Sequence, residues 1–281
     1  MQVRFWGTRG SLATPGPTTL RYGGNTSCVE VRLDSGPALV LDAGTGMRAL
    51  GVLMENEPVD ELHILLTHLH LDHIHGLLFF RPLFDPEAEV TVWGPPGRAS
   101  LRSRLARFLS SPLSPVEIRD LPANVAFKDA PSSSWRLGEL EVRASLIAHR
   151  GPTLGYRIAE AGATLSYLPD HEPGLGTSLS SAPSNWISGL ALARAATALI
   201  HDSQYSDSEY AFRRGWGHSS LSDALAFARR SGPKALFMFH HDPGHDDGQL
   251  QSLAHQATDD AARLGVEGEV QLAREGETFD L

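Results

Sequence analysis

The chain has 281 residues, enough for one large α/β domain or two small ones. With 24 Lys and Arg against 33 Asp and Glu it carries a formal charge of −9, which excludes a global basic field for a long polyanion. Its one cysteine, Cys28, excludes an internal disulfide framework, and no apolar run reaches the ~18 residues of a membrane span. The N-terminus lacks the pattern of a signal peptide, so a soluble, cytoplasmic protein without a membrane partner is expected.

Val3–Trp6 alternates like a strand and ends at the breaker-rich Gly7-Thr8-Arg9-Gly10-Ser11. Cys28–Leu33 reads as a half-buried strand, Ser35-Gly36-Pro37 as a hairpin turn and Ala38–Leu41 as an apolar strand. Asp42-Ala43-Gly44-Thr45-Gly46 closes that strand and opens a helix to about Met54. Leu62–Leu66 is a short buried strand with Thr67 as its last residue, and Ile74–Phe80 predicts a buried helix that Arg81-Pro82 stops. A strand at Glu89–Trp93 precedes a helix from Pro95-Pro96-Gly97 through Phe108. The Ser- and Pro-rich residues 109–137 read as surface loops with one strand near Val125–Phe127. Leu140–Ile147 follows as a strand, then a hairpin of Leu154–Ala159 and Ala163–Leu168, then a loop over 171–188 and a helix from Gly189. The strand Ala198–Ile200 runs into His201-Asp202, and Ser220–Arg230 is an amphipathic helix entered at an N-cap Ser219. Ala235–Phe239 runs into His240-His241, Gln249–Leu264 has helical spacing, and Val270–Leu272 is a last strand. Strands fall in two blocks, each finished by helices, which predicts two packed sheets with helices outside in a single domain over 1–281.

The stretch His68-Leu69-His70-Leu71-Asp72-His73 puts four metal-capable side chains within six residues, directly after a buried strand. A turn there lets the imidazoles of His68 and His70 converge on one ion while Asp72 and His73 face a second. Neutral imidazole with a hard carboxylate oxygen suits zinc or manganese. His149, Asp170 and His240 each stand on the exit of an apolar strand. Asp42, also at a strand end, is read as a buried acceptor for backbone N–H groups of neighbouring loops in preference to a ligand. His63, His75, His171 and His245 are read as structural or exposed.

The ordered set His68-x-His70-x-Asp72-His73, His149, Asp170 and His240, preceded by Asp42-Ala43-Gly44, resembles the metallo-β-lactamase-fold hydrolases. His201-Asp202-Ser203-Gln204-Tyr205 and Gly217-His218-Ser219-Ser220 resemble the ribonuclease Z and cyclic-nucleotide phosphodiesterase branch. The Gly7–Ser11 opening and the Phe239-His240-His241-Asp242-Pro243 ending are similar to a phosphodiesterase-like bacterial subgroup. The resemblance implies an αββα sandwich of two mixed β-sheets flanked by helices, with the metals at one edge. It implies a first ion on His68, His70 and His149, a second on Asp72, His73 and His240, and Asp170 bridging both. His241 is the rival of His240, since strand alternation points the adjacent pair apart. Histidine at position 70, where redox di-iron members usually carry glutamate, implies hydrolysis with two divalent ions, zinc first and manganese second.

Two such ions, less the carboxylates Asp72 and Asp170 and a bridging hydroxide, leave a single net positive charge, which matches a phosphodiester monoanion. By the resemblance His218 donates the proton to the leaving alkoxide and Asp202 orients it, at a position where the branch usually has glutamate. Asp72 can also orient or deprotonate the attacking water. Tyr205 and Trp216 are candidate stacking residues, with Phe212 and Arg213 beside them, and Arg9 is a candidate phosphate contact. With no Lys-rich arm, a small phosphodiester is expected, 3′,5′-cyclic nucleotides above all, and a long nucleic acid is not. The competing readings are tRNA 3′ processing, hydrolysis of a lactone or thioester, and a metal-loaded sensor without turnover. A homodimer is implied by the branch.

Overall fold

The computed structural model describes residues 1–33, 36–57, 59 and 61–281. Its apolar stretches become strands of two seven-stranded sheets. The first sheet holds β1 (Gln2–Gly7), β2 (Cys28–Arg32), β3 (Ala38–Leu41), β4 (Leu62–Leu65), β5 (Glu89–Gly94) and β6 (Asn124–Asp129). The second holds β7 (Trp135–Leu137), β8 (Leu140–Leu146), β9 (Leu154–Glu160), β10 (Ala163–Leu168), β11 (Ala198–Asp202), β12 (Ala235–Phe239) and β13 (Glu269–Leu272). A final β14 (Thr278–Asp280) returns to the first sheet and pairs antiparallel with β1.

Each sheet is antiparallel at one end and parallel at the other. β1, β2 and β3 run antiparallel and β3 to β6 parallel. β7 to β10 run antiparallel and β10 to β13 parallel. The parallel strands are covered on both faces, which is why they read as continuous apolar runs. In β3, Leu39 and Leu41 point into the core between the sheets, while Ala38 and Val40 meet the outer layer of α1 (Met47–Met54) and α2 (Leu101–Leu105). In β11 and β12, Ile200 and Phe237 point inward, while Leu199, Leu236 and Met238 meet the opposite outer layer. That layer is built from α3 (Leu190–Ala193), α5 (Leu221–Ser231) and α6 (Asp247–Leu264), with α4 (Asp207–Arg213) placed between α3 and α5 in the chain. The αββα sandwich of two mixed sheets is the observed fold.

Several local expectations are corrected. β2 is buried on both faces, because the Glu30 carboxylate is taken up by Trp6 Nε1–H at 2.8 Å and by Arg32. Ile74–Phe80 forms no α-helix; the chain makes 3₁₀ turns at Leu71–His73, His75–Phe79 and Arg81–Phe84. The backbone is diverted there because Gly76 N–H donates to Ala43 C=O at 2.7 Å and Ala43 N–H to His73 C=O at 2.8 Å, which ties the metal loop to the β3–α1 turn. The helix expected through Phe108 shortens to α2, capped by Ser100. Ser220, not Ser219, caps α5 by accepting the Asp223 N–H, while the Ser219 hydroxyl donates to His171 C=O. β7, α4 and β14 are additional; α4 has a Ser206/Glu209 capping box, whereas the three-residue β7 and β14 are too short to show a period. The turn expected at Ser35-Gly36-Pro37 falls partly outside the described residues. Among the described residues no helix is long and apolar enough to cross a membrane.

The inter-sheet core fixes the distance between the two halves of the site. Replacing fully buried Ile200 by alanine is expected to lower the unfolding free energy by about 2–5 kcal/mol in a urea titration. Leu20→Ala, at a side chain 80% exposed, should change it by less than about 0.5 kcal/mol. Equal midpoints for the two variants would contradict this assignment of the core.

Candidate metal centre

The C-terminal ends of the parallel strands in both sheets open on one edge, where open α/β sheets collect their functional groups. Asp42 follows β3, the His68–His73 loop follows β4, Asp170 follows β10, Asp202 ends β11 and His240 follows β12. His149 reaches the same place from the β8–β9 connection. Their side chains gather into two donor sets whose ligand atoms lie within 4.8 Å of one another, His68, His70, His149 and Asp170 in one and Asp72, His73 and His240 in the other, and a third such grouping joins His218 to Asp170 and His240. Asp170 stands between the first two. Its Oδ2 is 3.7 Å from His68 Nε2 and 3.6 Å from His149 Nε2, and its Oδ1 is 3.0 Å from His73 Nε2 and 3.2 Å from His240 Nε2. Asp72 Oδ2 lies 3.4 Å from His73 Nε2 and 3.3 Å from His240 Nε2. His241 turns away, its Nε2–H donating to Ala273 C=O at 2.8 Å. His240, not His241, joins the cluster.

Surrounding hydrogen bonds fix which nitrogen faces inward for His68, His73 and His149. His73 Nδ1–H donates to Asp42 Oδ2 at 2.8 Å, His149 Nδ1–H to Gly217 C=O at 2.7 Å, and His68 Nδ1 meets the Thr67 hydroxyl at 3.0 Å. Each turns its Nε2 to the interior. Asp42 is the hub of this outer layer, as an acceptor and outside both donor sets. It takes the Thr67 backbone N–H at 2.7 Å, the Thr67 hydroxyl and, from the opposite sheet, the Tyr167 hydroxyl at 3.0 Å. Only one of its donors is backbone, so the expectation of a loop N–H acceptor holds for Thr67 alone.

Two close approaches demand glycine. A Cβ on Gly10 would stand 2.2 Å from His240 Nδ1, and one on Gly217, where φ is +100°, would stand 2.4 Å from His149 Nδ1. Three non-glycine residues of the site, Ser11, Asp42 and His240, hold left-handed backbone at φ near +60°. Such strain persists only where neighbours over-determine it. At Ser11 the strained turn aims its N–H at Asp72 Oδ2, 2.7 Å away.

Burial disfavours charge on His68, His70 and His149 and holds their pKa values below the ordinary histidine range, so they are neutral donors at pH 7. His73 goes the other way: burial opposes its charge, but Asp170, Asp42 and Asp72 together raise its pKa well above that range. Negative charge is thus in excess at the second set. The inward nitrogens of His68, His73 and His240 and Oδ1 of Asp170 are buried without a hydrogen-bond partner. Orphaned imidazole nitrogens facing buried carboxylates fit divalent cations, and few other occupants satisfy them.

Beside the cluster, His218 Nδ1 lies 2.8 Å from Asp202 Oδ2, and its ring stacks on His240 at 4.9 Å between centroids. Burial works against its charge, but Asp202, with smaller contributions from Asp170 and Asp72, raises its pKa to about 8. Asp202 also accepts the backbone N–H groups of His171, Gln204 and Ser219, so the shorter carboxylate still reaches. Trp216 is 55% exposed beside this turn. Tyr205 is not a stacking platform: it is buried, its ring edge-on to His218 at 5.9 Å with the Arg213 guanidinium over it at 4.9 Å. Nor is Arg9 a phosphate contact. It is fully buried and ties its own β1–β2 connection to the β12–α6 connection through the carbonyls of Gly23, Asp242 and His245.

Glu172 went unnoticed in the sequence. Its buried carboxylate accepts Gly215 N–H and Gly217 N–H, each at 2.7 Å, and the Tyr210 hydroxyl, which sets the turn carrying Gly217 and His218. Only its place two residues after Asp170 marked it, and no spacing links it to that turn. Asp42→Asn removes the charge facing Thr67, His73 and Tyr167 at almost constant shape. Zinc affinity, titrated against a chromophoric chelator, is expected to fall about 10–100-fold with the circular dichroism spectrum retained. Unchanged affinity would show that Asp42 does not set the donors.

A family model described as "Beta-lactamase superfamily domain" matches residues 38–241. Ribonuclease Z of Brevibacillus brevis is 28% identical, with 88% of this chain and 87% of the relative covered. Among solved structures, the short form of human tRNase Z superposes with a TM-score of 0.67 at 23% identity, covering 100% of this chain and 99% of the other. Zinc-bound PqqB from Methylobacterium extorquens superposes with a TM-score of 0.70 at 18% identity, with 100% of both chains covered. These two likenesses bear on the fold. Relatives named as ribonucleases overturn the expectation that a long nucleic acid is excluded as a partner; net charge averaged over a whole chain does not report its local surface. The family match takes in His68, His70, Asp72, His73, His149, Asp170 and His240 and well over half of the chain, which therefore belongs to the β-lactamase superfamily and is a metal-dependent hydrolase.

Proposed function

We propose that the chain is a two-metal phosphodiesterase that acts on RNA and removes the 3′ trailer of precursor tRNA. The observation that carries this reading is the Asp170 carboxylate, which offers one oxygen to each of two histidine-rich donor sets beside a histidine held by Asp202. The ribonuclease Z relatives support the substrate class. In this reading His68, His70 and His149 would hold one cation and Asp72, His73 and His240 the other, with Asp170 contributing to both. Zinc suits the donors, as the zinc-bound structural neighbour supports, and manganese is second. Two divalent cations so held supply Lewis acidity and make water acidic enough to attack a phosphodiester at neutral pH.

The chain's own groups do the rest. Asp72, with one oxygen fixed by the Ser11 N–H, orients the attacking water and accepts its proton. His218 gives its Nδ1–H to Asp202, which turns Nε2 to the substrate side, and a pKa near 8 keeps it largely protonated at pH 7. It is the proton donor to the leaving alkoxide. Trp216, exposed next to this turn, stacks on an unpaired base. With Tyr205 and Arg9 buried, neither the stacking nor the phosphate contact expected of them is open to a substrate.

The test is a comparison of precursor tRNA, cyclic AMP and bis-p-nitrophenyl phosphate as substrates of the protein reconstituted with zinc or manganese. Trailer removal is expected with a higher kcat/KM than cyclic AMP hydrolysis, abolished by a chelator and restored by added metal. Hydrolysis of cyclic AMP without trailer removal would reject the proposal. His218→Ala is expected to slow RNA cleavage by about 10²–10⁴-fold. It should slow the aryl ester much less, because nitrophenolate leaves without a proton; equal losses on both substrates would remove His218 from the donor role.

A further inference from the structure

A chain of net charge −9 that grips RNA needs a local cationic surface. Residues 95–123, which lead from β5 to β6, hold Arg98, Arg102, Arg104, Arg107 and Arg119 against Glu117 and Asp120, a formal charge of +3. Two of these arginines are committed to the fold. Arg104 donates to the carbonyls of Pro95 at 2.6 Å and Ala99 at 3.1 Å and to Asp129 at 3.0 Å, which bends the incoming loop onto α2. Arg119 pairs with Glu117 at 2.9 Å. Arg98, Arg102 and Arg107 are exposed and have no ion pair among the described residues.

The stretch starts at the C-terminal end of β5, on the sheet edge that carries the metal loop, and Leu66 N–H donates to Trp93 C=O across that edge at 2.9 Å. It also touches the loop directly: the ring of Phe108, next to Arg107, packs 5.6 Å from the ring of His75. We infer that Arg98, Arg102 and Arg107 are the surface on which the phosphate backbone of the RNA substrate docks beside the metal centre. This rests on the RNA reading above. A strand whose scissile phosphate lies in the cluster carries flanking phosphates away from it, and three exposed guanidiniums on the stretch that leaves the same sheet edge match their charge and their oxygen acceptors. The arginines act on the backbone, so they confer affinity without base preference.

Affinity can be read without turnover by fluorescence anisotropy, using the zinc-loaded protein and a labelled RNA hairpin whose single-stranded 3′ tail is joined through a phosphorothioate. Losing three phosphate contacts on a single strand, at about 0.7 in the salt slope for each, predicts a slope shallower by about 2 for R98A/R102A/R107A and about 100-fold weaker binding near 0.1 M salt. The charge-keeping R98K/R102K/R107K should bind within about 3-fold of the wild type, and melting curves with zinc content check that each variant is folded and loaded. Identical affinity and slope for the wild type and the alanine variant would overturn the inference. So would a lysine variant as weak as the alanine one, or a wild-type protein that binds no RNA at low salt. A wild-type protein that binds this RNA yet leaves precursor tRNA uncut would keep the docking surface and reject the processing activity.

Discussion

Three carboxylates, Asp42, Asp72 and Asp170, are withdrawn from water at one edge of the two sheets, and the rest of the site follows from how their charge is met. A buried carboxylate costs several kcal/mol unless it is paired and hydrogen-bonded. Asp42 is satisfied within the protein, by Thr67, His73 and Tyr167. Asp72 accepts the Ser11 N–H, and beyond that it and Asp170 face the inward nitrogens of His73 and His240. That imbalance makes the edge a place for cations, and the same hydrogen bonds that orient the rings turn their inner nitrogens toward it. The strained backbones of Ser11, Asp42 and His240 belong to the same arrangement, because each puts a group where an unstrained turn would miss it.

The two sheets contribute comparably. Each passes from antiparallel to parallel pairing, and each parallel half delivers its residues at the strand ends. Asp170 and His240 come from one sheet and His68 to His73 from the other, so the inter-sheet core sets the width of the cluster. The Tyr167 hydroxyl crosses that boundary to Asp42, and Tyr156 crosses it again to Leu66 C=O at 2.7 Å, just before the metal loop. Packing between sheets and geometry at the metal centre are therefore one problem. Glu172 and Asp202 hold the Gly217-His218 turn by collecting backbone N–H groups on buried carboxylates, as Asp42 holds His73 through its ring N–H.

Much of this was legible because the informative residues are local. His68 to His73 crowd behind a short apolar run, and Asp170 and His240 stand on the exits of others, so strand pattern and residue type were enough. What was not legible depends on long-range contact. Tyr167 lies 125 residues from Asp42, and nothing in its own strand marks the hydroxyl as a donor. Arg9 sits among turn residues and reads as exposed, yet carbonyls from residues 23, 242 and 245 close over it. Tyr205 reads as a free aromatic because the Arg213 that covers it is committed only by the fold of α4. The 3₁₀ path of Ile74–Phe80 is imposed by Ala43, whose hydrogen bonds override local helix propensity. Net charge misled about RNA for a related reason: an average over 281 residues hides one basic stretch between β5 and β6.

In the proposed reading chemistry and docking divide along the same sheet edge, with the cluster supplying the reacting groups and Arg98, Arg102 and Arg107 holding the strand that enters it. All of it requires that the cluster hold two ions on either side of one carboxylate. Anomalous diffraction at the zinc absorption edge, from crystals of zinc-loaded protein, measures this directly. The account predicts two peaks, one bounded by His68, His70 and His149, the other by Asp72, His73 and His240, with Asp170 between them. A single peak, or peaks away from Asp170, would contradict it.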